Sequence, residues 1–328
     1  MKVICVSDKK PGHYNQSKGV LLALEALYAI DVQWLEVDLK AKFLRVIYKY
    51  IYNNFGFFSR KWFFEKIYGF ELLIDEADFI VSTGGNTAYL NASLKEYFSA
   101  KNIFVGGMRG LKPELFDINL VLKSDGQSNQ METFLAPTTI SILPEAEQKD
   151  VWMMAIGGDS GEYRFDDQDW DSLVSFMSQC QQRYGIYWLI TTSRRTGKEA
   201  EDYIRKRVEE AGLNCEAVWY VAEPKPVMQE YLKRADNICC TEDSFSMLTE
   251  AVSSGRKVVA LQPQFANGNE FYRWALSRLV DKKYVVSVKV REGLDSYDLY
   301  SELEKLSPLS ESVFEQLALD LQKKINGL

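Results

Sequence analysis

A chain of 328 residues with 46% apolar content is long for one hydrophobic core and suits two domains. A net charge of −7 and a pI near 5.1 exclude a general nucleic-acid binder, whose surface is normally basic. One histidine and five cysteines without a C-x-x-C spacing argue against a zinc site, and Cys5, Cys239 and Cys240 read as reduced core thiols within apolar runs.

In chain order, residues 2–6 read as a strand, 7–17 as a polar loop and 15–28 as a helix. Strands follow at 32–37, 78–82, 102–105 and 118–122, with helical stretches in 41–69 and at 87–98. The polar, Pro-containing segment 144–149 reads as a linker. A second series places strands at 151–156, 186–191, 217–221, 237–240, 258–261 and 284–288. Its helices fall at 167–183, 197–211, 227–234, 245–254 and 267–280, and two more close the chain near 295–306 and 309–325. Alternating strands and helices predict parallel, doubly wound sheets. The expected fold is α/β, with two Rossmann-like domains facing a cleft in the GT-B manner and C-terminal helices. The expected boundaries are 1–144, 150–308 and a helix at 309–328 that packs back on the N-terminal domain. The first six residues are too short for a signal peptide and no apolar run reaches transmembrane length, so a cytoplasmic body is expected.

The stretch 240–255 carries the strongest local chemistry. A buried strand ends there, and Asp243 and Ser244 suit the N-cap of the helix that follows. A strand, a hydroxyl-rich turn and a helix N-terminus make an anion site, because free N–H groups and the positive end of the dipole point at the ligand. Ser246 and Glu250 stand four apart on one helix face, where a carboxylate can accept from a ribose diol. Gly157 and Gly158 end the first strand of the second series, where they let backbone amides approach a pyrophosphate, and Arg164 follows shortly after. Ser193, Arg194 and Arg195 end the next strand, and two fork-shaped donors between hydroxyls suit phosphate oxygens. The acidic run 166–171 reads as a helix start, not a metal site.

In the first half, His13 follows the first strand, where an imidazole can deprotonate a hydroxyl near neutral pH. The same position suits a histidine that caps a helix or bonds the loop backbone, and the sequence leaves the two open. The glycine pairs Gly84-Gly85 and Gly106-Gly107 suit either close approach to a ligand or tight turns. Between 40 and 66, seven cations face Glu65 alone among ten aromatic rings. If 41–54 is helical, Lys42, Arg45 and Lys49 form one cationic stripe in an otherwise apolar surface, which suits an anionic bilayer.

The loop Ser7-Asp8-Lys9-Lys10-Pro11-Gly12-His13, the turn Thr192-Ser193-Arg194-Arg195-Thr196 and the run Thr241-Glu242-Asp243-Ser244-Phe245-Ser246-Met247 together resemble the bacterial relatives of the plant mitochondrial-fission protein named for elongated mitochondria. Gly157, Gly158 and Arg164 fit the same pattern, which spans about 3–262, and Lys9 departs from it where glycine is expected. The resemblance implies a GT-B fold and similarity to the N-acetylglucosaminyltransferase of peptidoglycan lipid synthesis. Gly12-His13, Gly157-Gly158 and Glu250 would match that enzyme's acceptor loop, donor loop and ribose carboxylate.

The expected function is transfer of a sugar from a nucleotide-diphosphate sugar to a membrane-associated acceptor, either lipid-linked or a cell-envelope glycan. His13 is the candidate base. Gly157, Gly158, Arg164, Ser193, Arg194, Arg195, Asp243, Ser244, Ser246, Met247 and Glu250 are the candidate donor contacts. Neither a metal nor a cofactor beyond the donor is expected. The anionic membrane surface would meet 40–66, placing the protein on the inner face of the cytoplasmic membrane. The alternatives are a non-catalytic adaptor, as in the plant members, and a nucleotide-sugar 2-epimerase.

Overall fold

The computed structural model describes residues 1–161, 163–292 and 299–327. The chain forms two compact units, Met1–Thr139 with Ser312–Leu328, and Ile140–Glu311. The first unit runs β1 (Lys2–Ser7), α1 (Pro11–Glu25), β2 (Asp31–Glu36), α2 (Arg45–Asn54), α3 (Lys61–Tyr68), β3 (Phe79–Thr83), α4 (Ala88–Phe98), β4 (Lys101–Val105), β5 (Ile118–Val121) and β6 (Gln130–Glu132). Every neighbouring pair is parallel, in the order β2-β1-β3-β4-β5-β6.

The central strands are apolar on both faces because helices cover both faces. Ile4, Val6, Ile80 and Phe104 point to one side, against Tyr52, Phe64 and Tyr68 from α2 and α3 and Leu90 from α4. Their alternate neighbours Val3, Cys5, Val81 and Ile103 point to the other, against Val20 and Leu24 of α1. Leu317, Ala318 and Leu321 of the helix Val313–Ile325 join that second cluster.

The second unit runs β7 (Val151–Ala155), β8 (Tyr163–Arg164), α5 (Asp167–Tyr184), β9 (Tyr187–Thr191), α6 (Lys198–Glu210), β10 (Cys215–Val218), α7 (Met228–Arg234), β11 (Asn237–Thr241), α8 (Phe245–Ser253), β12 (Lys257–Gln262), β13 (Phe265–Ala266), α9 (Glu270–Asp281), β14 (Val285–Lys289) and α10 (Leu299–Glu304). Its six-stranded parallel sheet has the order β10-β9-β7-β11-β12-β14, while β8 and β13 pair separately as an antiparallel ribbon. The acidic run opens α5 with a capping box: Asp166 accepts from the Asp169 N–H at 3.0 Å, and Asp169 accepts from the Asp166 N–H at 3.2 Å. Arg291 clamps both carboxylates from beyond β14, donating to Asp169 at 2.7 Å and to Asp166 at 2.5 Å.

Each sheet has one point where the strand order reverses. In the first unit it lies between β1 and β3, and in the second between β7 and β11. Ligands of open parallel sheets bind beyond the carboxyl ends of the strands at such a point.

Several expectations change. The helix expected from residue 15 starts at Pro11, because proline at the first helical position has its φ pre-set and lacks only an N–H that would go unpaired. His13 therefore sits in the first turn of α1 and not in a loop. The strand expected at 217–221 is Cys215–Val218. Strand β6 was not expected, since Gln130-Met131-Glu132 carries no apolar run. The cationic stripe does not form. Lys42 lies in the 3₁₀ turn Lys42–Leu44 and pairs with Asp38 at 2.9 Å, outside the register of α2. Arg45 turns inward to Asn86, leaving Phe43, Val46, Ile47 and Tyr50 exposed along one face. The helix expected near 295–306 begins at residues outside those described, and Leu299–Glu304 is helical.

Gly19 gives a test of how closely α1 lies on its neighbours. A Cβ there would stand 2.5 Å from the Thr138 nitrogen and 2.7 Å from its carbonyl oxygen. Helix propensity alone favours Gly19→Ala by about 1 kcal/mol. Overpacking against fixed backbone costs about 1–3 kcal/mol and prevails. Thermal melting followed by circular dichroism is expected to show a lower Tm for Gly19→Ala; a higher Tm would mean that the contact is looser than described.

Candidate functional site

In the second unit, three turns leave the carboxyl ends of β7, β9 and β11 and meet at one carboxylate. Asp243, whose side chain is fully buried, accepts from the Gly158 N–H at 3.1 Å, from the Thr241 hydroxyl at 2.6 Å and from the Arg195 guanidinium at 2.6 Å. Thr241 in turn accepts from the Gly157 N–H at 2.7 Å. The Thr196 hydroxyl donates back to the Gly157 carbonyl, closing the ring. Burial pushes the Asp243 carboxyl above its ordinary value, while Arg195, Thr241 and Gly158 oppose that push.

This knot explains both glycines. A Cβ on Gly157 would collide with the Asp243 carboxylate, and one on Gly158 with the backbone of Arg195 and Thr196. The amides of Gly157 and Gly158 are engaged inside the protein, so their part is to bring the turns together. Arg195 is likewise committed to Asp243, and Arg194 beside it is exposed. Ser193 ties its own turn by accepting from the Arg195 N–H at 3.2 Å.

Ser244 is the N-cap of α8, but its side chain does not cap; its hydroxyl lies 3.3 Å from that of Ser246. The first-turn amides of α8 are therefore not taken by the cap residue. Ser246, Met247 and Glu250 are part-buried on the same helix. Arg164 is placed apart from the knot, on the ribbon, with its guanidinium 5.5 Å from the Phe265 ring centre.

Glu242 was missed by sequence reading. It is fully buried, accepts from the Ser287 hydroxyl and from the Gln262 amide at 3.0 Å, and its carbonyl accepts from the Tyr272 hydroxyl. Burial pushes its carboxyl up, with Ser287 and Gln262 opposing. Its sequence signal is its place in the run 241–247; by itself a polar residue at the end of an apolar strand reads as a surface turn.

In the first unit, His13 Nδ1 lies 2.9 Å from Asp8 Oδ1. The Asp8 side chain is buried and also pairs with Lys10 at 3.2 Å and accepts from the Asn86 amide at 3.3 Å. Burial raises the Asp8 carboxyl, but the hydrogen bonds and charges of His13 and Lys10 outweigh it and hold it below the ordinary value. An Nδ1–H donated to Asp8 leaves Nε2 with its lone pair outward, the tautomer a general base needs. The imidazole lies directly on Gly84, which has φ of 88°, so a side chain at Gly84 would displace the ring. Gly85 carries the Arg109 side chain in the same way, its would-be Cβ 2.5 Å from Arg109 Nε. Asp8 was not singled out either; its sequence signals are its place in the stretch 7–13 and its spacing of five residues to His13.

The Arg195–Asp243 pair yields a pH test. Breaking a buried pair costs about 3–5 kcal/mol, and solvent screening at Arg195, 35% exposed, reduces this to about 2 kcal/mol. In Arg195→Ala the Asp243 carboxyl rises further. A raised carboxyl costs stability above its folded pKa and recovers it as pH falls through that value. The Tm deficit of Arg195→Ala is expected to be large at pH 8 and to shrink towards pH 5; a deficit constant with pH would contradict the pairing.

The chain matches the mitochondrial fission ELM1 family over residues 11–316 and belongs to it. Among curated proteins, none matches the sequence. Among solved structures it is similar to MurG of Acinetobacter baumannii, at 13% identity, a TM-score of 0.51 and coverage of 98% of this chain and 99% of that one. It is also similar to the UDP-GlcNAc 2-epimerase of Methanocaldococcus jannaschii, at 12% identity, a TM-score of 0.54 and coverage of 98% and 100%. The glycotransferase of kitacinnamycin follows at 10% identity, with a TM-score of 0.50 and coverage of 99% and 95%. The fold is the α/β, GT-B fold that glycosyltransferases share with this epimerase.

Proposed function

We propose that the protein transfers a sugar from a nucleotide-diphosphate sugar to a membrane-associated acceptor, lipid-linked or a glycan of the cell envelope. What carries this reading is the coincidence, in each unit, of a polar cluster with the switch point of a parallel sheet. In the second unit the Asp243 knot is the rigid floor. The exposed Arg194, the uncapped N-terminus of α8 and Ser246 would meet the diphosphate, and Glu250 the ribose. Guanidinium and helix-end donors stabilise a leaving diphosphate electrostatically, without a metal in this reading.

In the first unit His13 would act on the acceptor. Nε2 takes the proton of an acceptor hydroxyl, and its oxygen forms the bond to the anomeric carbon. The bond from that carbon to the diphosphate breaks, and the nucleoside diphosphate leaves with the electron pair. Asp8 holds the ring orientation and stabilises the imidazolium that forms. The bare face of α2 supports docking of 40–66 on an anionic membrane, with the protein on the inner face of the cytoplasmic membrane.

The same bare face favours a second reading, an adaptor that keeps the fold and recruits a partner. Turnover separates the two. With a panel of nucleotide-sugars and a bacterial envelope lipid extract as acceptor, the wild type is expected to release nucleoside diphosphate. His13→Ala should lower kcat by about 10²–10⁴-fold, with Asp8→Asn following it, while nucleotide binding stays intact. Full turnover in His13→Ala would remove the base from the reading, and no release with any donor would favour the adaptor.

A further inference from the structure

Helix α2 shows two unlike faces. Arg45, its first residue, and Lys49, one turn on, point to the loops that follow β3 and β4. The Arg45 guanidinium donates to the side-chain amide oxygen of Asn86, and its Nε is buried with no hydrogen-bond partner. The Lys49 side chain lies along Gly110, where a Cβ would be 3.2 Å from its Cδ and 3.4 Å from its Nζ. Arg109, in the left-handed region at φ of 52°, lies over Gly85. Both arginines act on Tyr89, whose phenol burial pushes up while the two cations oppose. Just upstream, Gly106 and Gly107 have open space where a side chain would stand.

Three cations thus lie over the loops that follow β3 and β4, and among the described residues none of the three has a carboxylate partner. Asp8, reached through Asn86, is already held by His13 and Lys10. Like charges brought together repel, and a buried N–H left unpaired costs about 1–3 kcal/mol. An anion relieves both. The other face of α2 is bare hydrocarbon: Val46 is 73% exposed, Ile47 53% and Tyr50 61%, and Phe43 of the 3₁₀ turn just before it is 84% exposed. Soluble monomers rarely leave such a stripe uncovered.

We infer that Arg45, Lys49 and Arg109 seat the phosphate group of an amphipathic acceptor whose hydrocarbon lies on the exposed Val46, Ile47 and Tyr50 of α2 and on Phe43 of the turn before it. This names the chemistry of the acceptor in the reading above and rests on that reading for its meaning. A free inorganic anion would use only the cationic half of the site. A lipid phosphate uses both halves, which is why the lipid is the occupant chosen.

The test reads binding of the full chain and not turnover. Phosphatidylcholine vesicles carrying either phosphatidic acid or an equal charge of phosphatidylglycerol are floated with the protein, and inorganic pyrophosphate is titrated separately. The variants are Lys49→Met with Arg109→Gly, which removes two cations while glycine keeps the left-handed backbone, and Phe43→Ser with Ile47→Ser. Circular dichroism melts establish that each is folded. The wild type is expected to float best with phosphatidic acid, and the cation variant to bind about tenfold or more weakly. The apolar variant should lose flotation but keep its pyrophosphate affinity. Equal flotation on both anionic lipids, unchanged in the cation variant, would show surface charge alone and overturn the seat. Pyrophosphate binding that needs Lys49 and Arg109, without flotation, would overturn the lipid. If flotation fails while His13-dependent transfer persists, the acceptor chemistry falls and the transferase reading stands. If the seat binds as described but no donor is turned over, the transferase reading fails alone.

Discussion

A single buried carboxylate organises the second unit. Asp243 has no access to water, and an unpaired charge there would be costly. Its compensation is drawn from all three turns that face it: a guanidinium after β9, an amide after β7 and a hydroxyl at the end of β11. Those demands fix the turns against one another more tightly than apolar packing could, since hydrogen bonds are directional and buried polar groups tolerate few alternatives. The glycines at 157 and 158 follow from the same constraint, because any side chain there would occupy the space of the carboxylate or of the Arg195 backbone. Glu242, the preceding residue, is buried with only neutral partners, so two adjacent carboxyls at this strand end are satisfied in different ways.

The first unit repeats the topology with different chemistry. At its switch point the buried carboxylate is Asp8, and what it holds is an imidazole, through one of its two ring nitrogens. Close approach again demands glycine: Gly84 makes room for the ring and Gly85 for Arg109. One switch point therefore carries a buried carboxylate held by a guanidinium, an amide and a hydroxyl, and the other a carboxylate held by an imidazole and an ammonium.

Most strands were legible because parallel strands covered on both faces must be nearly continuous apolar runs, as Val258-Val259-Ala260-Leu261 is. The exceptions lack that signal: β6 is a three-residue polar strand at the sheet edge, and β8 and β13 are two residues each. The turns of the site were legible as sequence, but their wiring was not. Gly158 and Asp243 are separated by 85 positions, and nothing local to either shows that one amide is consumed by the other. Residues expected to touch a ligand, Arg195 and Asp243, are instead paired with each other, which leaves Arg194 as the exposed arginine of that turn. The faces of α2 were misread for a similar reason. Composition shows cations among aromatics, but only the tertiary contact of Arg45 with Asn86 decides which of them point inward.

The claim that the Asp243 knot is the floor of a nucleotide site is open to one direct measurement, calorimetric titration of the intact protein with uridine, guanosine, cytidine and adenosine diphosphates. At least one is expected to bind with one-to-one stoichiometry, and Arg194→Ala to weaken that binding about tenfold or more, as loss of a charge-assisted contact to phosphate should. Absence of binding by all four, or undiminished affinity in Arg194→Ala, would contradict the account.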